Sequence, residues 1–228
     1  MTLTLHLHPL ASFCHKVLIA LYENATPFEA QVVDFSDPGS AAAQLERWPV
    51  GKIPVLHDGR TDRIVPETSI IIEYLQQHHP GPARLIPEAD EAQLEVRLWD
   101  RFFDLYVSVP MQKIVTDRLR PDGGQDPLGV AEARAGLDTA YAMIERQLDG
   151  KVWATGDAFT LADCAALPAL FFAAIVHPFG ADQPRLAAYF ERLLARPSVR
   201  RVIDEARPWF RFFPYVEAMP ARFRDGAD

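Results

Sequence analysis

The sequence predicts a two-domain protein, with an α/β domain over residues 1–79 and an all-α domain over residues 91–228. Three observations lead to this prediction. Strand-like and helix-like patterns alternate in the first third of the chain, a proline- and glycine-rich stretch follows over residues 80–90, and only helical patterns come after it. A chain of 228 residues is long enough for two domains with separate hydrophobic cores.

The first domain has a predicted element order of βαβ followed by ββα. Leu3, Leu5 and Leu7 alternate with polar residues, as in a half-buried strand, and Asp58-Gly59 is a hairpin turn signal. The predicted elements in chain order are a strand over 3–7, a helix from Ser12, a strand over 28–35, a short helix over 41–48, hairpin strands over 53–57 and 63–65, and a helix from Glu67 that ends before Pro80. The spacing of the first three suits a right-handed crossover between parallel strands.

The second domain shows helical stripes and no convincing strand. The apolar stripes are Leu94, Leu98, Phe102, Leu105 and Val109; then Val130, Leu137, Tyr141, Ile144 and Leu148; then Leu186, Phe190 and Leu193; then Val199, Val202 and Ile203. Pro110 is expected to kink or break the first of these helices. Residues 162–176 are apolar on all sides, which predicts a helix at the centre of a bundle.

Composition and charge exclude several classes of function. The net charge of −8 disfavours binding to nucleic acid, because phosphate recognition requires excess positive charge. The longest apolar run, over residues 164–176, is shorter than the roughly 20 residues of a membrane span, so a cytoplasmic location without membrane association is expected. The histidines show no metal-ligand spacing, and two cysteines do not make a disulfide scaffold. No metal is therefore expected.

Four segments together resemble the glutathione transferase superfamily. They are SFCHKVLIAL at 12–21, WPVGKIPVL at 48–56, VPETSIIIEYL at 65–75 and FTLADCAALPAL at 159–170. The resemblance implies a thioredoxin-like first domain that binds glutathione as co-substrate and an all-helical second domain that contributes the pocket for a hydrophobic electrophile. It also implies a homodimer and a role in detoxification. The apolar residues of the helix at 70–75 and of the helix from Glu91 agree with a second copy as partner.

The resemblance places Ser12 and Cys14 at the catalytic position. A helix N-terminus carries unpaired N–H groups and about half a positive charge, so it stabilises a nearby thiolate. Ser12 would then donate its hydroxyl to the sulfur of glutathione. When Cys14 is aligned with the second cysteine of the C-x-x-C motif of glutaredoxins, however, Ala11 takes the place of the usual activating residue and Ser12 lies one residue later. Backbone N–H groups or Cys14 are therefore alternatives, as are an ordinary N-cap role for Ser12 and half-buried packing for Cys14.

Five further residues are carried over as glutathione-binding. Ile53-Pro54 resembles the superfamily's cis-proline element, in which the backbone of Ile53 pairs with the cysteinyl part of glutathione. Lys52 either pairs with a glutathione carboxylate or is simply solvated. Glu67 and Thr68 match the family's Glu-Ser pair, with Thr in place of Ser. This pair binds the γ-glutamyl group at a helix start, and a plain helix cap is the alternative.

Two features of the helical domain are assigned to stability. Thr160 to Asp163 has the sequence of a capping box at the start of the buried helix. The aromatic segment over residues 208–215 is interpreted as core or inter-domain packing. The alternative is that it walls an apolar pocket together with Phe102, Phe103 and Tyr106.

Three hypotheses of function follow from the resemblance and the residues. The first is a glutathione transferase that adds the thiolate of glutathione to a hydrophobic electrophile. The second is a glutathione-dependent thiol–disulfide reductase or isomerase that uses Cys14. The third is a non-catalytic scaffold with the same fold that binds partners through its helical domain.

Overall fold

The computed structural model describes residues 2–226 and divides into two compact units between Ile86 and Pro87. This boundary falls inside the segment 80–90 that the sequence analysis interprets as a linker. The first unit combines a sheet with helices, and the second is helical throughout. The predicted fold class is therefore confirmed.

The first unit is a four-stranded mixed sheet with three helices. Its elements are β1 (Leu3–Leu7), α1 (Ser12–Glu23), β2 (Phe28–Val32), α2 (Pro38–Arg47), β3 (Val55–Asp58), β4 (Arg63–Pro66) and α3 (Thr68–His78). The strand order is β2-β1-β3-β4, with β1 parallel to β2 and the other two pairs antiparallel. The βαβ-ββα order agrees with the prediction.

Three boundaries in this unit differ from the prediction by two residues or more. Strand β2 ends at Val32 rather than at residue 35. Helix α2 starts at Pro38 rather than at residue 41, because Asp37 caps it by accepting a hydrogen bond of 2.8 Å from the Ser40 N–H. Strand β3 starts at Val55 rather than at residue 53, after Pro54, which has no N–H to pair.

A buried carboxylate joins the β3–β4 hairpin to the end of α3. Asp58 is fully buried and accepts hydrogen bonds from the Tyr74 hydroxyl (2.9 Å), the Arg60 backbone N–H (2.9 Å) and the ring of His79 (2.7 Å). Burial alone would raise the pKa of Asp58, but these donors together hold the pKa below its usual value. The Asp58 carboxylate is thus a structural hydrogen-bond acceptor that ties the β3–β4 hairpin to α3.

The second unit is a bundle around one central helix. Its elements are α4 (Asp90–Phe102), a π-helix (Phe103–Ser108), α5 (Val109–Asp117), α6 (Pro127–Gln147), α7 (Leu161–Val176), α8 (Pro184–Leu194), α9 (Pro197–Ala206), two 3₁₀ segments (Arg207–Phe212 and Val216–Ala218) and α10 (Ala221–Arg224). Every residue of α7 except Ala174 is buried, which confirms the predicted central helix. Among residues 2–226, no helix combines the length and the apolar character needed to cross a membrane.

The break predicted at Pro110 takes the form of a π-helix just before it. Pro110 has no N–H to donate to a carbonyl of the preceding turn, and the π-helix ends at Ser108, two residues before it. The apolar stripe predicted for this segment does not face the core. Among its members, Phe102 is buried, whereas Leu94 and Leu98 are each about 60% exposed. Leu105 and Val109 are exposed as well.

The predicted capping box at the start of α7 is confirmed. Asp163 accepts hydrogen bonds from the Thr160 N–H at 2.8 Å, the Ala154 N–H at 2.9 Å and the Tyr189 hydroxyl at 2.6 Å. One buried carboxylate therefore ties α8 and the loop before α7 to the start of the central helix.

Two phenylalanines of the aromatic tail pack within the helical unit, whereas Phe212 is 59% exposed. Phe210 stacks on Phe171 with ring centroids 5.7 Å apart, and Phe213 contacts Phe172 at 5.2 Å. Both tail residues are buried, as the core-packing interpretation predicts. A pocket wall that includes the exposed Tyr106 stays a prediction.

Two histidines of the first unit are buried in neutral form. Burial lowers the pKa of His6 on β1 and of His15 on α1 to about 4 each. His15 donates a hydrogen bond of 2.6 Å from Nε2 to the Pro9 carbonyl, so its ring supports the loop before α1. Protonation of either ring places a charge in the core.

We expect acid to destabilise the protein well above the pH at which carboxylates titrate. Between the unfolded histidine pKa of about 6.5 and the folded value, the unfolded chain binds a proton that the folded chain does not, so stability falls as pH falls. Each histidine should lower the free energy of unfolding by roughly 2 kcal/mol at pH 5 relative to pH 7. Urea unfolding at pH 5 and pH 7, in the wild type and in His15→Gln, measures this difference. If both proteins lose the same free energy of unfolding between the two pH values, the role of His15 is contradicted.

Candidate functional site

One edge of the sheet gathers the sequence-predicted site residues of the first unit. The strand register places His6 of β1 beside Val55 of β3, and Val55 beside Pro66 of β4. The chain leaves β1 and β4 and enters β3 at this same edge. Neighbouring strands lie about 4.8 Å apart, so the edge spans roughly 10 Å from β1 to β4. The segments that carry Ser12 and Glu67 begin there, and the segment that carries Pro54 ends there.

The loop between β1 and α1 is held by short-range hydrogen bonds. The Ala11 N–H donates to the His8 carbonyl (3.0 Å), and the Leu10 N–H donates to His8 Nδ1 (3.2 Å). His15 holds the Pro9 carbonyl from the helix side. The start of α1 is therefore fixed before any ligand binds.

Ser12 is the first residue of α1, and the N-cap position belongs to Ala11, which offers no capping side chain. The hydrogen bonds formed within residues 2–226 use neither the Ser12 hydroxyl nor the N–H groups of Ser12 and Phe13. Unused donors at a helix start, together with the helix dipole, stabilise a nearby anion. The catalytic role of Ser12 stays a prediction.

Cys14 lies two residues after Ser12 on α1 and has a different environment. Its side chain is fully buried, not half-buried as expected from the sequence. Burial raises the pKa of the Cys14 thiol to about 12, so only about one molecule in 10⁵ carries the thiolate at pH 7. This environment is that of a packing residue and disfavours a catalytic assignment for Cys14.

The segment before β3 contains the cis peptide bond predicted between Ile53 and Pro54. The backbone N–H and C=O of Ile53 have no hydrogen-bond partner in the described part of the chain. Lys52 is exposed, and its ammonium group has no carboxylate partner among residues 2–226. Both residues thus present unused polar groups, and their binding roles stay predictions.

Glu67 and Thr68 form the start of α3. Glu67 is the N-cap residue and has a φ of +68°, a backbone conformation that side-chain-bearing residues rarely adopt. Its carbonyl accepts the first helical hydrogen bond, from the Ile71 N–H at 2.8 Å. The Glu67 side chain is exposed, and the Thr68 hydroxyl donates to no group within residues 2–226. Strain of this kind collects at binding sites, where the ligand uses the geometry it creates.

Sequence reasoning missed a buried lysine between the two helix starts. Lys16 lies on α1 four residues after Ser12, is 1% exposed, and donates from Nζ to the Ser69 hydroxyl at 3.1 Å. Ser69 directly follows Thr68. The one signal in the sequence is a lysine in an otherwise apolar helical run, which alone is a weak signal.

No group of three side chains suited to hold a metal ion is found in residues 2–226. The unused groups at the sheet edge are instead hydroxyl and N–H donors, one ammonium group and one carboxylate. Such a set suits a small zwitterionic ligand with several carboxylates.

Comparisons with known proteins identify the family. The family model described as "Glutathione S-transferase, N-terminal domain" matches residues 5–83, and the one described as "Glutathione S-transferase, C-terminal domain" matches residues 127–192. The glutathione S-transferase GstB of Escherichia coli is 27% identical over 82% of this chain and 91% of its own length.

Solved structures agree with this result. A glutathione S-transferase from Methylobacterium radiotolerans, in complex with glutathione sulfonate, is 28% identical with a TM-score of 0.76, over 89% of this chain and 94% of that one. A glutathione S-transferase from Methylobacillus flagellatus has a TM-score of 0.80 at 24% identity. The match covers 88% of this chain and 98% of that one, and it supports the fold alone. With both domain models matched in order on a sheet and a bundle of this topology, the chain belongs to the glutathione transferase superfamily.

Proposed function

We propose that the protein is a glutathione transferase that joins the sulfur of glutathione to a hydrophobic electrophile. The observation that carries the proposal is the strained Glu67 at the start of α3, on the same sheet edge as the unused donors of Ser12. This edge spans roughly 10 Å, about the length of three extended residues. The glutathione sulfonate complex of the 28% identical relative also supports glutathione as the ligand.

Each part of glutathione would meet a complementary group. The ammonium of the γ-glutamyl group would pair with the Glu67 carboxylate, and its α-carboxylate would accept from the Thr68 hydroxyl and N–H. The cysteinyl backbone would pair with the free N–H and C=O of Ile53 as an added strand. The glycine carboxylate would pair with Lys52.

The chemical step needs a thiolate. The glutathione thiol loses its proton to water, and the sulfur anion is stabilised by the start of α1 and the Ser12 hydroxyl. The sulfur electron pair then forms a carbon–sulfur bond with the electrophile, and the displaced electron pair leaves with the leaving group or, in an addition, takes up a proton from water. Lowering the thiol pKa by about two units would raise the thiolate fraction at pH 7 from about 3% to about 75%.

The two other hypotheses receive less support. Disulfide exchange needs an accessible thiolate, and Cys14 is fully buried with its pKa raised to about 12. A non-catalytic scaffold has no need for unused donors at the start of α1. Glutathione binding without turnover against any electrophile would favour the scaffold.

We expect Thr68→Val to weaken glutathione binding about tenfold or more, because a hydrogen bond to a carboxylate is lost while the shape is kept. Thr68→Ser should bind like the wild type, since it keeps the hydroxyl. Isothermal titration calorimetry measures both. Glu29→Ala serves as control because Glu29 is exposed on β2, paired with Thr4 away from the site edge. Unchanged affinity in Thr68→Val would refute the γ-glutamyl assignment.

Ser12→Ala should raise the pKa of the bound glutathione thiol by roughly one unit and reduce turnover near neutral pH, with binding preserved. The loss should shrink at high pH, where the thiol ionises unaided. Ultraviolet absorbance of the thiolate, titrated in wild type and variant, measures the shift. An unmoved pKa would exclude the hydroxyl and leave the N–H groups of Ser12 and Phe13. Ala11→Ser tests whether a hydroxyl at the N-cap serves better.

We further propose that the protein forms a homodimer through exposed apolar side chains. Leu94 and Leu98 lie one turn apart on α4, and each exposes about 60% of its surface. In the first unit, Ile70 on α3 is 54% exposed. Large apolar side chains that lie exposed on one helix face, as Leu94 and Leu98 do on α4, are typical of an interaction site.

Sedimentation equilibrium at micromolar concentration should give about twice the chain mass of 25.6 kDa. The double variant Leu94→Glu with Leu98→Glu should shift the protein to the monomer, because charges would be buried in the interface. Leu128→Glu is the matched control, since Leu128 is 70% exposed at the start of α6. A wild type that sediments only as a monomer would refute the dimer.

A further inference from the structure

A buried glutamine links α2 to the segment that carries Lys52. Gln44 is fully buried and donates from Nε2 to the Lys52 carbonyl at 2.8 Å. Its Oε1 accepts from Arg47 Nη1 at 2.8 Å. The carbonyl requires a donor and the guanidinium requires an acceptor, so the two partners determine the orientation of the amide.

This side chain is not explained by ordinary core packing. Gln44 is the one buried residue of α2, while the adjacent Leu45 is half exposed. An amide in a buried position is favourable only when its polar atoms are paired, and an apolar side chain would fill the space at lower cost. The feature that distinguishes glutamine here is the bond to the Lys52 carbonyl.

The bond completes a rigid base for Lys52. The chain leaves α2 through a turn in which the Gly51 N–H donates to the Trp48 carbonyl at 2.8 Å, and Gly51 has a φ of +68°. Gln44 then holds the next carbonyl, directly before Ile53 and Pro54. The Lys52 side chain therefore projects from a backbone that is fixed on both sides.

We propose that Gln44 is a positioning residue for glutathione, which acts by holding Lys52 in place for the glycine carboxylate. This assignment rests on the proposed function. Glu67 and Thr68 would take the γ-glutamyl end and Ile53 the cysteinyl part, which leaves the glycine end for Lys52. Gln44 thereby sets the preference for the full tripeptide over γ-glutamylcysteine, which lacks the glycine.

The test compares the affinities of these two peptides by calorimetry. Gln44→Met keeps the length of the side chain and removes both hydrogen bonds. Gln44→Glu keeps an acceptor for Arg47 but loses the N–H that binds the Lys52 carbonyl. Each variant should bind glutathione about 5- to 20-fold more weakly and γ-glutamylcysteine less than twofold more weakly. Lys52→Met should show the same selectivity, and Gln77→Met, at an exposed position of α3, should bind both peptides normally.

Non-additivity provides the decisive measurement. Because Gln44 would act through Lys52, Gln44→Met combined with Lys52→Met should bind glutathione no more weakly than Lys52→Met alone. Additive losses, equal losses for both peptides, or normal affinity in both Gln44 variants would overturn the assignment. A wild type that binds no glutathione would refute the proposed function and the assignment with it, and this result is visible before any variant is compared.

Discussion

The candidate site depends on how β1 pairs with β3. Because β3 runs antiparallel to β1 and β4 runs antiparallel to β3, the chain passes the same sheet edge at Leu7, Val55 and Pro66. Three segments far apart in sequence meet there. A slip of one residue would turn Leu5 away from the core, so burial of the β1 leucines maintains the register. The alternating leucines of β1 therefore both fill the core and maintain the strand register that brings the site segments together.

Local patterns predicted the elements of the fold better than their ends. The alternation in β1 and the apolar run of α7 are periodic over many residues and survive errors at single positions. The start of α2 depends on one contact, between Asp37 and the Ser40 N–H, which apolar periodicity does not register. The stripe on α4 shows a further limit, since periodicity identifies an apolar face without showing whether that face lies in the core.

In the candidate site, too, local sequence patterns identify some residues and miss others. Glu67 and Thr68 lie in a recognisable motif, so the sequence alone indicates them as candidate site residues. Lys16 contacts Ser69, 53 residues away, and a contact over that separation leaves no local pattern. Gln44 lies only eight residues from Lys52, yet a glutamine in a short polar helix is expected on the surface. The proposed role of Gln44 depends on a hydrogen bond to the backbone carbonyl of Lys52, and a pattern of side chains along the sequence does not predict such a bond.

The positive φ of Glu67 has a consequence for attempts to stabilise this protein. A glycine there would relieve backbone strain worth about 1 kcal/mol or more, and it would also remove the carboxylate. A screen that selects for heat resistance alone would therefore favour changes at this position early. Such a screen would yield more heat-resistant proteins in which the candidate site has lost a carboxylate, so a higher melting temperature would be a misleading guide to an intact site.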